Sequence, residues 1–108
     1  MAIGKIRLVR GDNLPQLRFR VMDVDKNLPA QLTGLTDVYL KLREAGASTV
    51  LSTINGAWIE SDGVVAFEFP NGTLDVPQGD YEGELEFHFG SKVQTAYELL
   101  KFFVRQDF

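Results

Sequence analysis

The stretch Tyr81-Glu-Gly-Glu-Leu-Glu-Phe-His-Phe89 decides the fold. Tyr81, Gly83, Leu85, Phe87 and Phe89 share one parity, and Glu82, Glu84, Glu86 and His88 share the other. A period of two with the apolar residues on one side is the signature of a strand with one buried face and one wet face. After Gly90-Ser91-Lys92 the chain turns back through Val93 to Arg105, and the alternation fails. Ala96, Leu100, Phe102 and Val104 fall on one parity, but Tyr97, Leu99 and Phe103 fall on the other. A strand apolar on both faces must be covered on both faces. In a domain this small, one of those covers is expected to be another protein.

A helix over 96–106 is the competing reading, because Tyr97, Leu100 and Val104 would share a helical face. Phe102, Phe103 and Val104 favour strand, and the Gly-Ser turn before them favours a hairpin. The segment is therefore read as strand.

Working outward, strand-like segments recur. Lys5–Arg10 alternates in part. Gln16–Met22 sets Leu17, Phe19 and Val21 inward and Arg18 and Arg20 outward. Val38–Arg43 sets Val38, Leu40 and Leu42 inward and Tyr39 and Lys41 outward. Thr49–Ile54 and Ala57–Glu60 flank Asn55-Gly56, and Val64–Phe69 follows Asp62-Gly63. Asn-Gly and Asp-Gly tolerate the positive φ that primed hairpin turns demand, so a meander from about Thr49 to Phe69 is predicted. Pro15, Pro29, Pro70 and Pro77 fall between segments, as strand interiors require. Seven or eight short strands in 108 residues predict a single all-β domain over 1–108, an immunoglobulin-like antiparallel β-sandwich, with a small β-barrel as the alternative.

Composition narrows the chemistry. The chain has no cysteine, which excludes disulfides and thiolate metal sites. Its net charge of −4 argues against a nucleic-acid partner, which needs a dense cationic face. Apolar runs are too short for a helical membrane span, and the start Met-Ala-Ile-Gly-Lys lacks the apolar core of a secretory signal. Lys5, Arg7, Arg10, Arg18 and Arg20 come early and the acids late. That asymmetry is read as charge pairing between strands or subunits.

The order of the punctuation is more specific than the strand count. Gly11-Asp12-Asn13-Leu14-Pro15 precedes the first strong strand, which ends in Asp23-Val-Asp25-Lys-Asn27-Leu-Pro29. Leu32-Thr33-Gly34, Gly63-Val64-Val65, Asn71-Gly72-Thr73 and Gly79-Asp80-Tyr81 follow. This layout resembles the immunoglobulin-like domain at the N-terminus of tailed-phage baseplate upper proteins. Asn27 stands where a turn glycine is usual there, and the closing strand lacks the usual proline. The resemblance implies an attachment module in a virion, made in the host bacterial cytoplasm. With Phe108 read as its end, the chain is expected to be a stand-alone, multicopy component. A tail, baseplate or neck adaptor is the first expectation and a capsid decoration protein the second.

No catalytic constellation is read. Asp23-Val-Asp25-Lys-Asn27 opens like a calcium loop, but Leu28 takes the glycine position and Gly34 stands where a bidentate glutamate is needed. An Asx-rich turn accounts for it. His88 is the single histidine and has no second histidine to complete a metal site. Glu82, Glu84 and Glu86 sit about 7 Å apart along a strand, a spacing glycosidases also use, but a solvated outer face produces it as well. Asn71-Gly72-Thr73 has the form of a glycosylation acceptor and is read as a turn.

The chain is therefore expected to be a non-enzymatic interaction module without cofactor, metal, nucleic-acid or membrane partner. Its partners are expected to be other virion proteins and further copies of itself. The predicted interface is Tyr97, Leu99 and Phe103, extended by Phe108 and by Trp58, whose parity opposite Ile59 suggests exposure. An adhesin using Trp58, Tyr39 and loop aspartates to hold a glycan is the alternative.

Overall fold

The computed structural model describes residues 6–23, 28–29, 32–59, 62–96 and 99–107. They form β1 (Ile6–Val9), β2 (Gln16–Arg20), β3 (Met22–Asp23), β4 (Leu28–Pro29), β5 (Asp37–Glu44), β6 (Ser52–Asn55), β7 (Ala57–Ile59), β8 (Val64–Glu68), β9 (Gly79–Phe89), β10 (Lys92–Thr95) and β11 (Leu100–Arg105). One sheet runs β1-β11-β9-β5-β6, with β10 as a second neighbour of β9, and the other runs β2-β8-β7. A short ladder joins β3 and β4. The fold is an all-β sandwich, and its strand order is immunoglobulin-like. Tyr81 adds a second mark of that fold: its hydroxyl donates to the Pro77 carbonyl at 2.5 Å, a tyrosine corner at the start of β9.

The alternation read in Tyr81–Phe89 is what buries the core. Tyr81, Gly83, Leu85 and Phe87 are buried along β9, and Val38, Leu40 and Leu42 are buried along β5 beside it. Val65 and Phe67 of β8 face them with no exposed surface, and Phe102 and Val104 of β11 complete the layer. Leu32, Leu35 and Leu74 close the ends from loops. Each large side chain taken from water contributes about 1.5–3 kcal/mol.

Leu100–Arg105 is strand, so the helix reading of 96–106 gives way. The closing strand comes in two pieces. Lys92 pairs with Phe89 across a two-residue Gly90-Ser91 turn, and the pairing runs as far as Thr95 with Glu86. It resumes at Leu100 with Gly83, so the partnered residues Thr95 and Leu100 are five positions apart while Glu86 and Gly83 are three. Two extra residues make a bulge that preserves parity, which is why Ala96 and Leu100 still point the same way. This break raises the count to nine strands in the two sheets. The antiparallel expectation needs one further change: β1 pairs with β11 in parallel.

Asn55-Gly56 is not a hairpin turn. Asn55 pairs with Tyr39 in the larger sheet, whereas Ala57 pairs with Ala66 in the smaller one. The chain crosses between sheets at Gly56, which lacks the positive φ of a primed turn and donates to the Val38 carbonyl at 2.9 Å. A Cβ there would lie 2.7 Å from Phe67 Cε1 and 3.0 Å from the Ala66 carbonyl oxygen. The glycine answers close approach, not turn geometry. Asp62-Gly63 does turn β7 into β8, with Gly63 at φ 64°.

Gly83 is the corresponding point inside the larger sheet. A Cβ there would lie 2.8 Å from Phe102 Cε2 and 2.9 Å from Leu40 Cδ1. Gly83→Ala is expected to cost about 1–3 kcal/mol through overpacking, read as a lower urea midpoint. An unchanged midpoint would mean that the two side chains yield freely.

Candidate functional site

The outer face of the larger sheet carries the residues that sequence reasoning singled out. Pairing sets Lys101, Glu82 and Arg43 in one row, and Glu84, Lys41 and Thr53 in the next. Thr95, Glu86, Tyr39 and Asn55 form a third row, and Val93, His88 and Asp37 a fourth. Direct neighbours on one face of a sheet lie close enough for ion pairs to form across strands.

They form here. Arg43 meets Glu82 directly across the sheet at 3.1 Å, and the Gly46 backbone N–H donates to the same carboxylate oxygen at 3.1 Å. Lys41 reaches diagonally to Glu86 at 2.8 Å, and His88 Nε2 lies 2.6 Å from the other Glu86 oxygen. Tyr39 packs edge-on against the His88 ring, with centroids 5.0 Å apart. Glu82 and Glu86 side chains are only 16 % exposed. The acid ladder is therefore not a freely solvated face. Glu84 differs from its neighbours: it has Lys41 beside it but accepts no hydrogen bond from the described residues.

The electrostatics follow from these contacts. The Gly46 N–H and then the Arg43 guanidinium hold the Glu82 carboxyl below its ordinary value. The hydrogen bond from Lys41 and then that from His88 do the same for Glu86. Lys41 is raised in return by its bond to Glu86. These contacts tie the two carboxylates to β5 and to the turn at Gly46. Among the described residues, no three metal-binding side chains come together.

Leu99, on the bulge, is half-buried and lines a shallow groove of about 50 Å³ with Val50, Lys41, Arg43, Glu82 and Glu84. Phe103 lies on the same outer parity, half-buried, between Arg7 and Asp80. Tyr97 and Phe108 lie outside the described residues, as does the Asp25–Asn27 part of the calcium-like run.

Trp58 corrects the parity reading. It stands opposite Val65, which is fully buried, and packs against the core, while Ile59 points outward and is 45 % exposed. The crossing at Gly56 reset the phase. Trp58 and Tyr39 therefore belong to different sheets and to different faces, and they do not make a common platform.

The opposite surface, the outer face of β2-β8-β7, was missed. Arg18 lines up with Ala66 and Ala57, and Arg20 with Val64 and Ile59. The outward residues of β7 and β8 are apolar apart from Glu68, which Gln16 contacts at 3.2 Å. Of the early cations, Arg10 pairs with Asp75 at 2.9 Å, which accounts for one part of the charge asymmetry. Arg18 and Arg20 have no such partner among the described residues. The signal was Ile59, taken as the inward neighbour of Trp58.

No protein-family model matches the chain, and no curated protein sequence matches it.

The two lowered carboxyls give a signed pH dependence. Their folded values lie below the ordinary 4.5, so the stability they contribute is complete above that value and is lost as pH falls through the folded values. In urea melts from about pH 7 down to about pH 3, the Glu82→Gln/Glu86→Gln variant is expected to lose stability less steeply than the parent. Identical slopes would mean that the two pairs do not contribute.

Proposed function

We propose that this chain is a non-catalytic attachment module of a tailed-phage particle, a tail, baseplate or neck adaptor that works by packing the broad outer face of its larger sheet onto other protein subunits. The observation that carries the reading is the outer parity of the closing strand. Leu99 and Phe103 stand there half-buried on a face where Arg43 is already paired with Glu82 and Lys41 with Glu86. A surface whose ions satisfy each other in advance loses less by being covered, because few charges are stripped of water without a partner. Aliphatic and aromatic side chains among such pairs supply the binding energy, about 1.5–3 kcal/mol for each one fully buried.

The virion setting is supported by the turn punctuation from Gly11-Asp12 to Gly79-Asp80-Tyr81, which resembles the baseplate upper protein domain. Immunoglobulin-like order and the tyrosine corner agree with that resemblance. A capsid decoration role uses the same surface and differs only in the lattice that receives it.

Leu99→Ser/Phe103→Ser is expected to remove the chain from particles while its circular dichroism stays that of a folded sandwich. Unfolding of the isolated variant would make both residues core and move the interface elsewhere. A density map of the intact particle of the virus that encodes the chain provides the second test. A sandwich at a tail, neck or capsid position is expected, and absence of the chain from purified particles would overturn the reading.

A further inference from the structure

Four asparagines lie along the chain: Asn13 and Asn27 precede leucine, and Asn55 and Asn71 precede glycine. An Asn-Gly step is the one most open to spontaneous ring closure, because glycine has no Cβ to crowd the approach of its nitrogen to the preceding side-chain amide. That nitrogen must also be free to move. The fold treats the two Asn-Gly steps in opposite ways.

Asn55 is held. It ends β6 paired with Tyr39, and the Gly56 N–H donates to the Val38 carbonyl at 2.9 Å. Phe67 and Val38 stand so close to Gly56 that a Cβ there would not fit. Bringing the Gly56 nitrogen onto the Asn55 amide breaks that hydrogen bond and shifts the crossing between sheets. Asn71 is not held in this way. Asn71 and Gly72 are both exposed, in the turn from Pro70 to Thr73 between β8 and β9. The bonds of that turn run from the Thr73 N–H to the Pro70 carbonyl at 3.1 Å and from the Asp75 N–H to the Gly72 carbonyl at 3.2 Å. The Gly72 N–H donates to no backbone carbonyl among the described residues. Its φ is 87°, and nothing lies within 4 Å of where a Cβ would stand. Asn13, from the connection between β1 and β2, donates through Nδ2 to Asn71 Oδ1.

We propose that Asn71 is a site of spontaneous covalent modification: deamidation through a cyclic imide closed by Gly72, assisted by Asn13. In the first step the Gly72 nitrogen attacks Asn71 Cγ and gives up its proton, the Cγ–Nδ2 bond breaks, and ammonia leaves. Charge gathers on Oδ1 during the attack, where the Asn13 Nδ2 donor meets it as an oxyanion donor does. Water then opens the ring. Breaking the bond from Cγ to the Gly72 nitrogen leaves aspartate. Breaking the main-chain bond from Asn71 to Gly72 leaves isoaspartate, with the chain continuing through the side-chain carbonyl. Either product adds one negative charge to a chain whose net charge is −4. The turn lies outside the strands proposed for attachment, and its chemistry does not depend on what they bind.

Peptide mass mapping of the full chain, kept folded in mildly alkaline buffer, tests this directly. Position 71 is expected to exchange amide for carboxyl about tenfold or more faster than position 55, where the sheet must first open at Gly56. In concentrated urea the two steps lose their different surroundings and are expected to react at similar rates. Asn13→Ala is expected to slow position 71 in the folded chain and to leave both rates in urea unchanged. An Asn71 that keeps its amide in the folded chain, or an Asn55 that reacts as fast there, would overturn the proposal. A folded Asn13→Ala chain that reacts at position 71 as fast as the parent, or faster, would overturn the assistance by Asn13 and leave the modification site in place.

Discussion

The interior has no space for a side chain at Gly83. Leu40 from β5 and Phe102 from β11 close over it from both sides, each within 3 Å of where a Cβ would stand. This contact fixes three strands at once. It sets β9 in the middle of the larger sheet, fixes the parity with which β11 returns after its bulge, and so decides which side chains remain outside. Leu99 and Phe103 are outside because Leu100, Phe102 and Val104 are in. The surface proposed to bind is the remainder left by a core with one packing solution.

Much of this was legible in the chain. The strict period of Tyr81–Phe89 and of Val38–Leu42 predicted their buried faces correctly, because a strand with one wet face writes its orientation into alternate residues. The phase of the closing strand survived for a less visible reason. Its bulge inserts two residues, and an insertion of one would have exchanged the faces of Phe102 and Phe103. What failed did so at Gly56. Asn-Gly suggests a turn by its tolerance of positive φ, yet here glycine is required by the nearness of Phe67 and Val38. Local sequence does not distinguish those two uses of glycine, since the second depends on a strand eleven residues away. With the crossing misread, Trp58 was set outside and Ile59 inside, and the apolar outer face of the smaller sheet went unseen.

The acid ladder shows a similar limit. Alternating glutamates read as a solvated face because nothing in Tyr81–Phe89 reveals what lies on the neighbouring strand. Arg43 and Lys41 come from β5, some forty residues earlier, and arrive opposite Glu82 and diagonal to Glu86 only through sheet pairing. The cross-strand pairs leave fewer charges to be stripped of water without a partner when that surface is covered. Fold and proposed function thus meet on one strand: β9 closes the core with one parity, and its other parity lies on the face proposed for attachment.

The parent chain has no cysteine, so a thiol introduced at Leu99 is unique and reports directly on that face. Maleimide labelling of Leu99→Cys, with Phe102→Cys as the buried reference, measures whether the outer parity is exposed alone and covered in the particle. The account predicts rapid labelling at position 99 in the isolated chain, strong protection there after assembly, and slow labelling at position 102 in both states. Equal reactivity of position 99 in the free and assembled chain would contradict it.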